Sequence, residues 1–310
     1  MPHVAEKTIP LIVVAGATGT GKSAIALHLA HRLNGVVINA DSRQVYGDFP
    51  LITAQPSPEE MADVPHALYG FLPTRKKLSA GAYAELAAET IARVHASSRV
   101  PILVGGTGLY LRTLLQGIAP IPPVPEHVHA AWQERLAAEG PQALHRLLEE
   151  RDPATAARLH PNDSQRITRA LEVLEGTGRT LGHWHALPVT EPPYAVCGVY
   201  LDMPLALLAP RLEARIDAML EAGAENEARA ALASCPDPNA PGWSGIGCAE
   251  LYRFLADEMD YAACRALWLA NTRAYAKRQI TWFKKDRSLT AFAPGDTSGI
   301  TSLCTAFLEQ

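Results

Sequence analysis

Unbroken apolar runs of three to five residues alternate along the first part of the chain with stretches whose apolar residues recur at helical spacing. Leu11–Ala15 (LIVVA) is the first run, too short for a helix and without a polar position, as in a strand buried on both faces. Ser23–Leu33 follows with Ile25, Leu27, Leu29 and Leu33 at helical spacing and stops at Asn34-Gly35. The rhythm then repeats: a strand over Val36–Asn39, an alanine-rich helix over Ser79–Ser97, a strand over Pro101–Val104, GGTGLY, and a helix to about Gln116. After Pro192-Pro193 it resumes with a strand over Ala195–Leu201 and helices over Leu205–Glu221, Ala249–Ala256 and Tyr261–Lys285. Strand and helix in alternation predict an α/β fold, a parallel sheet flanked by helices on both faces.

Ile118–Pro125 (IAPIPPVP) breaks the rhythm, and proline density of that kind marks a boundary. From Glu126 to Gly182 the pattern is helical and contains no strand. The predicted organisation is a core made of 1–120 and 190–310, the latter carrying the C-terminal helices, interrupted by an all-helical insertion domain at 121–189.

Charge and cysteine content narrow the setting. The net charge is −4 over 310 residues, so any nucleic acid must be met by a local basic patch and not by global attraction. Cys197, Cys235, Cys248, Cys264 and Cys304 are widely spaced with no CxxC, which argues against a zinc site or disulfide framework and fits a reducing cytoplasm. Ile9–Ala15 runs straight into a glycine-rich loop, which suits a first strand and not a secretion signal. No stretch reaches the ~18 apolar residues that a membrane span needs.

That loop, Gly16–Ser23 (GATGTGKS), meets GxxxxGK[ST] at every fixed position, with an apolar strand before it and a helix after. Gly16, Gly19 and Gly21 let the backbone turn N–H groups toward an anion at the helix N-terminus, with Ala17, Thr18 and Thr20 completing the cradle. Lys22 brings a positive charge to phosphate oxygens, and Ser23 a hydroxyl suited to Mg²⁺. Whose phosphate it is stays open at this point. A nucleoside-triphosphate hydrolase needs a carboxylate at the end of a buried strand, and Pro101–Val104 runs instead into Gly105-Gly106-Thr107. A small kinase is compatible, with Asp41 placing an acceptor hydroxyl. Asp41 follows the second strand, at the carboxyl end where such sheets bind ligands; a helix N-cap is its competing role.

Five segments then act together: NADSRQVY (Asn39–Tyr46), GGTGLY (Gly105–Tyr110), NDSQRITRALEV (Asn162–Val173), RLEARIDAML (Arg211–Leu220) and AKRQITWF (Ala276–Phe283). In this order they resemble the tRNA dimethylallyltransferase (tRNA isopentenyltransferase) family of the bacterial type, from the phosphate loop to about Phe283. The resemblance implies a P-loop-type core whose loop holds the diphosphate of dimethylallyl diphosphate as a leaving group, with Mg²⁺ as cofactor. The dimethylallyl group would pass to N6 of the adenosine just 3′ of the anticodon, flipped into a channel through the protein. Asp41 would be the general base, while Lys22 and Arg215 would meet the charge of the departing diphosphate. For the anticodon stem-loop of tRNA, the implied contacts are Asp41, Ser42, Arg43, Gln44 and Thr107 around the target base. His129 and the run Gln165, Arg166, Ile167, Thr168 and Arg169 would supply contacts from the insertion, and Lys277 and Arg278 from the last long helix. The resemblance also leads us to expect a cytoplasmic enzyme acting as a monomer.

Two patterns bear on the RNA side. Between Tyr261 and Leu289 seven basic residues, Arg265, Arg273, Lys277, Arg278, Lys284, Lys285 and Arg287, stand against the single acid Asp286. Trp268, Tyr275 and Trp282 recur every seven positions there, which predicts a core-facing stripe more than a stacking platform for bases. Arg211 and Arg215, four apart, share a helix face with Glu213 and Asp217 nearby, so a solvated ion-pair surface competes with a site role for Arg215. Against the family's pattern, Gln55 stands for a lysine, Ala67 for a histidine, His129 for an arginine and Cys248 for an aromatic residue. These departures concern the grip on tRNA more than the chemistry.

Overall fold

The computed structural model describes residues 9–189 and 192–310. Its strands are β1 (Ile9–Gly16), β2 (Gly35–Asn39), β3 (His66–Ala67), β4 (Val100–Gly105), β5 (Tyr194–Leu201) and β6 (Leu289–Phe292). They pair in parallel in the order β3-β2-β4-β1-β5-β6. The first helices are α1 (Lys22–Leu33), α2 (Pro58–Asp63), α3 (Ala80–Ala96) and α4 (Gly108–Gln116). A helical run follows: α5 (Glu126–Glu139), α6 (Pro141–Arg151), α7 (Pro153–Ala156), α8 (Ser164–Thr177) and α9 (Leu181–His185). Beyond β5 come α10 (Leu205–Glu221), α11 (Ala224–Ser234), α12 (Cys248–Leu255), α13 (Tyr261–Phe283) and, after β6, α14 (Thr297–Leu308).

Sheet order explains where a site forms. The chain leaves β1 for β2, inserts β4 between them, and only then crosses to the other side of β1 with β5. Winding therefore reverses at β1, and the crevice beyond the carboxyl ends of strands at such a reversal is where open α/β sheets take ligands. Register brings these ends level: Ala15 sits opposite Gly105, Asn39 opposite Val104 and Gly16 opposite Leu201.

β1 is apolar throughout because both its faces are covered. Leu11, Val13 and Ala15 pack with Tyr83, Ala87 and Ile91 of α3 and Leu111 and Leu114 of α4. Ile12 and Val14 face the other way, toward Ile25 and Leu29 of α1 and Ile300 and Cys304 of α14. A further cluster around Phe49, Trp243, Cys248 and Trp268 ties the segment after β2 to α10–α13.

The chain divides into two compact units, one of residues 116–191 and one of the remainder. The smaller is all helical, with Val128 and Trp132 of α5, Leu144 and Leu148 of α6, Ala156 of α7 and Ile167, Ala170 and Leu171 of α8 forming its core. Elements that the apolar pattern does not announce are α2, α11, α14, β3 and β6. The fully buried residues of α11 are all alanines, Ala224, Ala228 and Ala231, and β6 has no fully buried residue. Among the described residues no helix is long and apolar enough to cross a membrane.

Candidate active site

The loop between β1 and α1 is held by its own backbone. Gly21 is the N-cap of α1 at φ 93°, a left-handed conformation that favours glycine, and no side chain caps the helix there. Free N–H groups at the positive end of a helix dipole make an anion site without further help. Thr20 is buried and its hydroxyl donates to Ala17 O at 2.8 Å, which closes the loop from inside. The Lys22 ammonium rests on that same carbonyl at 2.9 Å. Thr18 spends its N–H on Gln279 Oε1 at 2.9 Å, so among the cradle residues expected from the motif it has only its hydroxyl left for an anion. Ala17 packs its methyl against Leu208, Leu212 and Ala276 and serves through its carbonyl. Ser23 is exposed at the start of α1.

Lys22, Arg215 and Asp41 share one electrostatic environment. Burial pushes the Lys22 ammonium from the usual 10.5 down to about 8, against the pull of Asp41 and with the repulsion of Arg215. Burial also holds Arg215 below its ordinary value, again opposed by Asp41. Two crowded cations beside one carboxylate form a site short of negative charge, which an anion would relieve. Glu213 and Asp217 pair with Arg265 at 3.3 and 2.7 Å, and Glu213 with Arg273 at 3.2 Å, so neither acid is paired with Arg215.

Asp41 heads a turn and caps no helix. Its Oδ1 accepts from the Arg43 N–H at 2.9 Å, while its own N–H donates to Asn39 Oδ1 at 2.8 Å. Asn39 is fully buried, and its Nδ2 donates to Asp41 O and Leu68 O at 3.0 and 2.9 Å. Tyr83 seals the arrangement from α3 by donating to Asn39 O at 2.8 Å. Across the crevice the Thr107 hydroxyl accepts the Ser42 N–H at 2.9 Å, so NADSRQ and GGTG are fastened to each other. Tyr69, Tyr83, Tyr110 and Tyr275 all feel the Asp41 charge and, with burial as the first cause, have phenols held above their ordinary range.

The residues expected to meet RNA divide sharply. Arg43 is tied to Ser244 Oγ at 2.8 Å, and Gln44 gives its amide to Thr53 O and Ala54 O at 3.0 and 2.6 Å, so both brace the turn as much as they line it. Lys277 and Arg278 are exposed on α13, Arg278 lying over the Tyr275 ring at 5.7 Å. In the helical unit Gln165, Arg166 and Arg169 are exposed on α8, while His129 donates from Nδ1 to the buried Glu172 carboxylate at 2.6 Å. Ile167 and Thr168 need correction. They are 0% and 1% exposed, on the inward face of α8, and present nothing to an RNA. The basic stretch also shrinks: Arg265 and Arg273 are committed to acids of α10, and Lys284 lies 3.4 Å from Asp202. Of the aromatic stripe, Trp268 is core and Tyr275 half-buried, whereas Trp282 is 36% exposed, with the Arg112 guanidinium 5.2 Å from its ring.

Reading by residue type missed Asn39, Tyr83, Tyr275 and Gln279. Asn39 carried a signal, a polar residue closing an apolar strand beside an aspartate. The others reach the site from distant helices and leave no local trace. Gln55, where a lysine was expected, donates to Tyr46 O at 2.8 Å and braces the same loop.

Residues 44–286 match the family described as IPP transferase. A tRNA dimethylallyltransferase of Nitratidesulfovibrio vulgaris (strain DP4) is 56% identical over 299 residues, covering 96% of this chain and 97% of that one. Among solved structures, the full-length tRNA isopentenylpyrophosphate transferase of Bacillus halodurans is 31% identical, with a TM-score of 0.72 over 97% of each chain. A eukaryotic dimethylallyltransferase acting on tRNA is 28% identical, with a TM-score of 0.79 over 96% of this chain and 77% of that one. Motif order, sheet topology and identity over nearly the whole length converge, and this chain belongs to the IPP transferase family, the tRNA dimethylallyltransferases.

Proposed function

We propose that this protein transfers the dimethylallyl group of dimethylallyl diphosphate to N6 of the adenosine just 3′ of the anticodon in tRNA, releasing diphosphate. The observation that carries this reading is the placement of Lys22 and Arg215 with Asp41 beside an uncapped helix N-terminus. In the transfer, the N6 lone pair forms a bond to the allylic carbon as the carbon–oxygen bond to diphosphate breaks. The bonding pair leaves on the diphosphate, and the N6 proton passes to the Asp41 carboxylate. Negative charge grows on the leaving oxygen, where Lys22, once drawn off the Ala17 carbonyl, would meet it together with Arg215 and the loop N–H groups.

A divalent ion fits this arrangement in one way. Among the described residues no three acidic, histidine or cysteine groups gather to hold a metal, so Mg²⁺ would take its oxygens from diphosphate and water, with the exposed Ser23 hydroxyl as the protein ligand. When bound, it would neutralise part of the diphosphate charge.

On the RNA side, Ser42, Arg43, Gln44 and Thr107 line the place of the flipped base, and Lys277 and Arg278 meet backbone phosphates of the anticodon stem-loop. His129, Gln165, Arg166 and Arg169 supply the grip from the helical unit. The enzyme acts in the cytoplasm as a monomer. Labelled dimethylallyl diphosphate and γ-labelled ATP, offered separately with unmodified tRNA, test the reading. Label on tRNA from the prenyl donor is expected; label from ATP alone would make the protein a kinase.

A further inference from the structure

One peptide plane links the two sides of the active site. The Ala17–Thr18 peptide presents its carbonyl to the Lys22 ammonium and its N–H to Gln279 Oε1, each at 2.9 Å. Gln279 also donates from Nε2 to Gly106 O at 2.8 Å. Gly106 precedes Thr107, whose hydroxyl holds the Ser42 N–H next to Asp41. Gln279 is 4% exposed, on α13, two positions beyond Lys277 and next to Arg278. Its approach is so close that a β-carbon on Gly106 would stand 2.2 Å from Nε2, which is why that position has none.

A primary amide has both a donor and an acceptor end, and here each is used by backbone from a different loop. Buried polar groups left without partners are costly, so the two loops and the amide hold one another in a single arrangement. We infer that Gln279 is a positioning residue for the transfer reaction. Through the Ala17–Thr18 plane it fixes where Lys22 rests, and through Gly106 it fixes Thr107 and the turn that carries Asp41. It touches neither substrate. When diphosphate draws Lys22 off the Ala17 carbonyl, Gln279 keeps the plane from following. The consequence for catalysis rests on the prenyl-transfer reading; the consequence for anion binding stands without it.

The test is therefore made on inorganic diphosphate, titrated calorimetrically into the full chain and two variants from about pH 5.5 to about pH 7.5. Gln279→Leu removes both bonds and is expected to weaken diphosphate binding about tenfold or more at every pH in that range. Gln279→Glu separates positioning from mere packing. Its neutral carboxyl can accept the Thr18 N–H and donate its O–H to Gly106 O, whereas the ionised form loses the donor and turns a charge toward a carbonyl. Burial raises the pKa of such a carboxyl into the range examined. The glutamate variant should bind as wild type at the acid end and fall toward the leucine variant as pH rises. Gly106→Ala, which pushes the amide out, should reproduce the leucine loss. A folded Gln279→Leu protein binding diphosphate within about twofold of wild type would overturn the inference. So would a glutamate variant whose pH course parallels wild type, and that comparison decides the matter alone if the leucine variant does not fold. Failure of wild type to transfer label to tRNA would count against the prenyl-transfer reading and leave this result standing.

Discussion

The phosphate loop and the exposed face of α8 both carry polar groups proposed to meet phosphate, and they differ in what holds those groups still. In the loop they are backbone N–H groups and Lys22, whose ammonium rests on the Ala17 carbonyl of a peptide held from its other side by Gln279. On α8 they are the ends of Gln165, Arg166 and Arg169, exposed long side chains above a packed row of Ile167, Ala170 and Leu171, the two arginines held only by loose pairs with Asp163 at 3.4 Å and Glu172 at 3.5 Å. Pre-positioned groups act on a forming charge at no reorganisation cost, whereas mobile ones contribute affinity in small additive steps. Changes in the first region should therefore abolish turnover, and changes in the second should only grade binding.

Asp41→Asn puts the largest strain on that comparison. The amide keeps an oxygen for the Arg43 N–H, so the turn survives while the base is lost. Turnover should fall on the order of 10²–10⁴-fold, the range general-base removal commonly produces, with tRNA affinity within about twofold in a binding titration. Loss of both together would mean that the residue serves the turn alone.

Lys22→Met comes next, and it carries a signature in stability. In the folded chain the ammonium titrates at about 8 and in the unfolded chain near 10.5. Below about pH 8 folding thus bears the full penalty of burying the charge, on the order of 3 kcal/mol at about 1.4 kcal/mol per unit. As pH rises from about 8 to 10.5 the folded chain has shed the proton while the unfolded chain retains it, and the penalty disappears. Methionine should raise the melting temperature at neutral pH, with a gain that shrinks toward pH 10, and should leave little binding of dimethylallyl diphosphate. In wild type, KM for that substrate should climb up to about tenfold per pH unit above 8, because binding then requires proton uptake. A melting temperature lowered by the substitution would contradict the crowded-cation account of the site.

The same contrast governs what could be read before the fold was known. The loop, Asp41 and the strands that end beside them are local patterns: an apolar run, a glycine-rich turn, a carboxylate after the second strand. β1, β2 and β4 fall within a residue or so of where their apolar runs place them, and α10 where its spacing does. Gln279 was not legible because its partners, Thr18 and Gly106, lie 261 and 173 residues away in sequence. Arg265 and Arg273 read as free cations because the acids that occupy them, Glu213 and Asp217, sit on another helix. Ile167 and Thr168 were a different kind of miss. The spacing of Ile167, Ala170 and Leu171 already marks an inward face, and a motif taken as a block overrode it.

Smaller effects belong to the exposed cations. Lys277→Ala and Arg278→Ala should each weaken tRNA binding a fewfold and make the dependence of log affinity on log salt shallower by roughly 0.7–0.9. Turnover at saturating tRNA should be nearly unchanged. An unaltered salt slope would remove both residues from the RNA surface.

The smallest effect concerns Thr168, and it decides whether the α8 run acts as a block or as a face. Its hydroxyl is buried and finds no partner, a deficit that an isosteric apolar side chain removes. Thr168→Val should stabilise the helical unit by about 1 kcal/mol, read as a rise in its unfolding midpoint, and leave both tRNA affinity and its salt slope where they were. Arg169→Ala, one position on and exposed, should do the reverse, lowering affinity without raising stability. If the valine variant instead binds tRNA several times more weakly while melting higher, the hydroxyl reaches RNA after a local opening of α8. The division between inward and outward residues on that helix would then describe the free protein alone.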